Sequence, residues 1–179
     1  MLVQTMEKYD VDLVCCGLIK EYSNGTQEKE SILFDKRKYE KDEIINSIYP
    51  KIIFDKSTHN RSLAPNRVTK LFKRQILLKV MNLCDEKVSI GEDLVTSFAY
   101  FLQISSFFCL NDFYPYHYRI HSSSMIQKFS KDNYEKTKKL CTALLNVNNE
   151  TTYNFENQIY NDFIQLMMRF LDNEILFSR

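Results

Sequence analysis

The stretch SIGEDLVTSFAYFLQISSFFCLNDFYPYHYRIHSSSM, residues 89–125, reads as a helix followed directly by a long strand. Residues 92–103 carry the helix. Ser89 and Glu92 stand at the S-x-x-E spacing of a capping box, and the adjacent acids Glu92 and Asp93 suit the positive end of a helix dipole. Residues 106–121 are aromatic and β-branched, and they read as one strand in which Pro115 marks an edge, bend or bulge. Side chains alternate along a strand. His117, Arg119 and His121 therefore share one face, with Tyr116, Tyr118 and Ile120 on the other.

Working outward, residues 1–10 place Leu2, Val3, Met6 and Tyr9 on one helical face. Residues 11–22 (VDLVCCGLIKEY) form an apolar, β-rich run ending at the turn signal Ser23-Asn24-Gly25, with a returning strand expected over residues 30–34. Ile44, Ile45, Ile48 and Ile52 predict a helix over residues 42–53, with Pro50 disturbing its last turn. Residues 58–66 read as a loop, and a helix begins near Arg74. Two amphipathic helices, residues 132–147 and 155–177, are separated by Asn148-Asn149 and form a helical hairpin; in the second, Phe155, Ile159, Phe163, Leu166, Met167, Phe170 and Leu171 make one stripe. The fold class is α/β, or α+β-like. A few strands packed with helices occupy residues 1–130, and the C-terminal hairpin occupies residues 131–179.

A chain of 179 residues with 44% hydrophobic content can bury an ordinary core. Its net charge of +1 supplies no global field to hold nucleic acid. No leader or spanning segment is visible, so a cytoplasmic location is expected, with peripheral association at the inner face of a membrane. The five cysteines, Cys15, Cys16, Cys84, Cys109 and Cys141, show no CxxC spacing and read as small buried apolar residues.

Each candidate site has two readings. Glu92 and Asp93 are either helix-capping acids or a fixed carboxylate that takes a proton from an attacking hydroxyl. His117, Arg119 and His121 are either a solvated strand face or a diphosphate or metal site, since guanidinium matches phosphate oxygens and imidazole completes metal shells. Lys70, Lys73 and Arg74, with Phe72 between them, are either a solvated helix start or a local nucleic-acid patch, and the neutral whole favours the first. Asp10-Val11-Asp12 is not read as a metal motif. It precedes the strand, whereas a metal-binding pair should follow one.

Three stretches in this order resemble family-2, GT-A type glycosyltransferases of bacterial capsule, lipopolysaccharide and wall polysaccharide pathways. They are residues 9–17 (YDVDLVCCG), 67–77 (RVTKLFKRQIL) and 89–125. The resemblance covers most of residues 1–130 and implies the C-terminal half of a GT-A fold. It matches Asp93 to the catalytic base and Glu92 to its partner in positioning the acceptor. Arg119 and His121 match an Arg-x-His element near the diphosphate and its divalent metal, Mg or Mn, with His121 as a metal ligand. Lys70 falls in the segment lining the acceptor side. The implied reaction is inverting transfer from a nucleotide-sugar donor to a hydroxyl of a glycan or lipid-linked acceptor.

Members of that family begin with a nucleotide-binding half ending in an acidic metal motif, and this chain starts just beyond that point. The expectation is an acceptor-side fragment, inactive alone, that binds no nucleic acid and self-associates as a homodimer through exposed strand edges. The competing class is a non-catalytic helical interaction domain working through residues 155–177.

Overall fold

The computed structural model describes residues 1–62, 64–120 and 132–177. Helix α1 (Leu2–Tyr9) is followed by strands β1 (Leu13–Cys16), β2 (Leu18–Tyr22), β3 (Gln27–Glu30) and β4 (Lys38–Glu40). The helix expected over residues 42–53 is composite: α2 (Lys41–Glu43) widens into a π-helical turn (Ile44–Ile48) and tightens into a 3-10 turn (Tyr49–Lys51) that accommodates Pro50. Then come β5 (Lys70–Phe72), α3 (Arg74–Val80), α4 (Glu92–Gln103), β6 (Ser106–Leu110), β7 (Tyr116–Ile120), α5 (Asn133–Asn148) and α6 (Glu156–Phe177). This is the mixed α/β fold expected, with the hairpin α5–α6 at the end.

The larger sheet has the order β4-β6-β1-β5, with β1 parallel to β6 and the outer strands antiparallel. Every residue of β1 and β6 is buried. Both faces of these strands are covered, which is why they read as unbroken apolar runs. One face carries Leu13, Cys15, Phe107 and Cys109 into the main core, which also takes in α4 and, from the hairpin, Leu140, Leu144, Phe155 and Ile159. The other carries Val14, Cys16, Phe108 and Leu110, covered by Leu2 and Met6 of α1. Tyr9 stacks on Phe108 with ring centroids 4.3 Å apart. Asp10 ends α1 in the left-handed region at φ 43°.

The two long strands expected at residues 11–22 and 106–121 are each broken in two. Beyond the breaks, β2 and β7 pair in parallel again, but in a separate sheet of order β3-β2-β7. The cause lies at Gly17, whose N–H donates to Phe113 O at 2.9 Å. A Cβ there would stand 2.6 Å from the Tyr114 ring and 2.7 Å from Glu30 O. Only glycine admits so close an approach. The Tyr114 hydroxyl is held in turn by Asn111 O at 2.9 Å and Ser31 Oγ at 2.6 Å. The parallel pair β1–β6 thus changes sheet together, the chain turning at Gly17 on one side and across residues 111–115, with Pro115, on the other. The returning strand β3 starts three residues earlier than residue 30, because Gly25, at φ 83°, closes the turn at once.

Strand β1 is flanked by β5 and β6, and the larger sheet's edges are β4 and β5.

Helix α4 occupies the centre of the molecule, with Leu94 through Phe101 all buried. Its capping box does not form: Gly91, at φ 77°, is the N-cap and no side chain caps the helix. At its other end the Lys41 ammonium donates to Leu102 O at 3.3 Å and Ile104 O at 2.9 Å, a cation at the negative end of the helix. The hairpin docks through Gln158, which donates to Tyr49 O and accepts from Ile53 N and Phe54 N, and through Arg61 with the buried Asp162 at 2.8 Å. Phe155, just before α6, and Ile159 within it are buried, and Phe163, Leu166, Met167 and Phe170 are half-buried. Leu171, expected in the same stripe, is 52% exposed. Among the described residues no helix is long and apolar enough to cross a membrane.

Candidate functional site

Gly91 turns the chain into α4 so that Glu92 and Asp93 open its first turn. The helix behind them is buried from Leu94 through Phe101, which fixes the direction in which both carboxylates leave it. Each is partly exposed, and both face one cation. Arg67 Nε donates to Asp93 Oδ1, and its Nη2 lies 4.0 Å from Glu92 Oε1.

Arg67 belongs to a turn preceding β5. The Asn66 side-chain oxygen accepts from Thr69 N at 3.3 Å and Thr69 Oγ1 at 2.5 Å, an arrangement typical of asparagine in turns. Ser97 Oγ, one helical turn beyond Asp93, donates to Pro65 O at 2.7 Å. Thr69 O accepts from Cys16 N at 2.9 Å, joining the turn to β1.

Lys70 follows, buried, opposite Cys15 in the β1–β5 register. Its ammonium donates to Ala64 O at 2.5 Å and Asn66 O at 2.6 Å. Burial, only partly offset by Cys15, Asp93 and Cys16, holds Lys70 below the ordinary lysine range. Cys15 has its own ionisation pushed up to about 12 by burial, so near neutral pH it is a protonated thiol. Asp93 is then the counter-charge that matters. Glu92, Asp93, Arg67 and Lys70 form one connected cluster.

Arg119 and His117 stand on β7 in the second sheet and share a face, as the alternation required. Both turn to Glu21 of β2: His117 Nδ1 lies 2.6 Å from Glu21 Oε1, and Arg119 Nε lies 3.6 Å from Oε2. The His117 ring, with Arg119 behind it, holds the Glu21 carboxyl below the usual range. His121 lies outside the described residues. Among the described residues no group of three His, Cys, Asp or Glu side chains comes together to hold a metal ion.

Asp10 closes α1, and both Asp10 and Asp12 reach Lys73. Asp12 accepts from Ser105 N at 2.8 Å and pairs with Lys73 at 3.0 Å. Burial works to raise its carboxyl, but these bonds outweigh burial and hold it below the ordinary range. The cysteines are free, with Cys15, Cys16 and Cys109 buried. Sequence reasoning missed Arg67, which lies 26 positions before Asp93, at a spacing that carries no local signal.

No protein-family model matches the chain, nor does any curated protein. Among solved structures the fold is similar to S. aureus TarS 1-349, a glycosyltransferase. With that protein in complex with UDP-GlcNAc the TM-score is 0.50 at 18% identity, over 98% of this chain and 44% of that one. With its UDP complex the TM-score is 0.49 at 18% identity, over 99% of this chain and 42% of that one. The chain spans less than half the length of the structures it matches. The fold is glycosyltransferase-like.

Proposed function

We propose that this chain is the acceptor-side part of a family-2, inverting glycosyltransferase, working on a nucleotide-sugar donor and a hydroxyl of a growing cell-surface polysaccharide or glycolipid. The observation that carries the reading is the pair Glu92–Asp93 at the start of the buried helix α4, partly exposed and clasped by Arg67, in a glycosyltransferase-like fold. In this reading Asp93 accepts the proton of the acceptor hydroxyl, and that oxygen bonds to the anomeric carbon from the side opposite the leaving group. The bond from the anomeric carbon to the diphosphate oxygen breaks and its electron pair leaves with the nucleoside diphosphate. Glu92 orients the acceptor. Arg119 offers cationic hydrogen bonds to the departing diphosphate, and His121 is assigned beside it by its motif position. Most of the nucleotide pocket, in this reading, is supplied by residues other than these 179, because the TarS structure that holds UDP-GlcNAc is more than twice as long.

Turnover of the complete gene product with radiolabelled nucleotide sugars, UDP-GlcNAc first, tests this. Asp93→Asn keeps shape but removes the base, so kcat is expected to fall by about 10²–10⁴-fold with donor KM little changed. Near-normal kcat in that variant rejects Asp93 as the base.

One observation favours a second reading, a non-catalytic helical interaction domain. On α6 Ile164, Met168, Leu171 and Ile175 are all more than half exposed. They recur at intervals of four, three and four, the seam spacing of paired helices, and the occupant proposed is α6 of a second copy. Light scattering over a concentration series is expected to report a dimer that Met168→Asp converts to monomer. A wild-type monomer at every concentration would reject it.

A further inference from the structure

Lys70 is a buried cation on an edge strand whose ammonium has carbonyl, not carboxylate, acceptors. Those carbonyls, of Ala64 and Asn66, belong to the turn whose next residue is Arg67. Lys70 N also donates to Arg67 O at 3.1 Å, so Lys70 holds the turn by side chain and backbone together. From the other side α4 grips the same turn at two places on one helical face: Asp93 takes the Arg67 guanidinium, and Ser97, four residues on, donates to Pro65 O. A buried ammonium is costly unless its donors are fully used, so a cation kept here serves the geometry of these carbonyls.

We propose that Lys70 and Arg67 form a latch on the carboxylate pair: Lys70 fixes residues 64–66, and that turn delivers Arg67 to Asp93. Lys70 is then a positioning residue that acts through Arg67 and touches neither sugar nor acceptor. Arg67 engages Oδ1 of Asp93, which sets the carboxylate's rotation and leaves Oδ2 as the oxygen for an incoming proton. This rests on the reading of Asp93 as the base, but the latch itself is measurable without turnover.

The probe is the Arg67 Nε–Hε resonance in ¹H–¹⁵N spectra of this chain, assigned by its loss in Arg67→Lys. A guanidinium proton held by a carboxylate exchanges slowly with solvent. In Lys70→Met, which keeps the stem and removes the ammonium, exchange of that proton is expected to quicken by about tenfold or more while the amide resonances of α5 and α6 stay in place. In Asp93→Asn the signal is expected to shift yet remain, because the side-chain oxygen still accepts. Arg67 Hε exchange within about twofold of wild type in folded Lys70→Met overturns the latch. Should Lys70→Met not fold, Lys70→Gln takes its place, a shorter, uncharged donor that cannot hold both carbonyls as the ammonium does, and exchange within about twofold of wild type there overturns the latch equally. Failure of Asp93→Asn to impair turnover would reject the catalytic reading and leave the exchange result to decide the latch.

Discussion

Gly91 answers to two constraints at once. Its φ of 77° lies in the left-handed region, and a Cβ there would meet Leu140 Cδ2 at 2.6 Å. Gly25 shares the first constraint, at φ 83°, but nothing stands within 4 Å of its missing Cβ. The pair separates strain from crowding. Gly25→Ala is expected to cost about 1 kcal/mol, the strain alone, whereas Gly91→Ala adds overpacking against α5 and is expected to cost about 2–4 kcal/mol. Urea unfolding of both variants checks this, and equal costs would mean that Leu140 yields freely. Gly91 also shows what one residue hides from sequence. Ser89 and Glu92 had the spacing of a capping box, yet the left-handed glycine between them caps the helix with no side chain at all. The start of α4 at Glu92 was legible all the same, because acids in a first turn and a glycine before it favour the same boundary.

Among elements, legibility followed how local the cause was. Helices α3 and α4 and the α5–α6 hairpin lie where their periodicity put them, since a helix's pattern and ends are written within its own turns. The strands at residues 11–22 and 106–121 were legible as strands but not as two strands each. A strand keeps its period of two across a change of sheet, and the change is forced at Gly17 by Tyr114, nearly a hundred residues away. Buried β6 and exposed β7 likewise share one aromatic composition; what separates them is that helices cover the first sheet, while β7 is an edge of the second. The candidate site divides in the same way. Glu92 and Asp93 are neighbours in sequence and could be singled out as a pair. Arg67, Ser97 and the carbonyls that hold Lys70 meet them only through the turn before β5. The cap of α4 by Lys41 is of that kind too, spanning 61 residues to Leu102 and 63 to Ile104.

For the molecule as a whole, the central sheet joins folding to pH at the alkaline end. Cys15 and Cys109 face each other in the β1–β6 register, and burial pushes both thiols up to about 12. Tyr49, in the same core, is also pushed up to about 12 by burial. In each case the folded state holds its proton to higher pH than the unfolded chain does. The stabilisation is therefore complete below the ordinary thiol and phenol values and is lost as pH rises through the folded ones. Lys41 and Lys70 work in the opposite sense. Burial holds both below the ordinary lysine range, so folding gains as they shed protons, but that gain ends once unfolded lysines deprotonate too, near pH 10.4. Opposing slopes below about pH 10 and unopposed loss above it predict a urea midpoint that changes little up to about pH 10 and then falls steeply towards pH 12. Each fully coupled group contributes at most about 1.4 kcal/mol per pH unit. Cys109→Ala should lower the midpoint at neutral pH, because it opens a cavity, yet flatten the fall above pH 10 by removing one of the groups that cause it. Equal alkaline slopes in wild type and Cys109→Ala would mean that this thiol ionises as freely in the folded sheet as in the open chain.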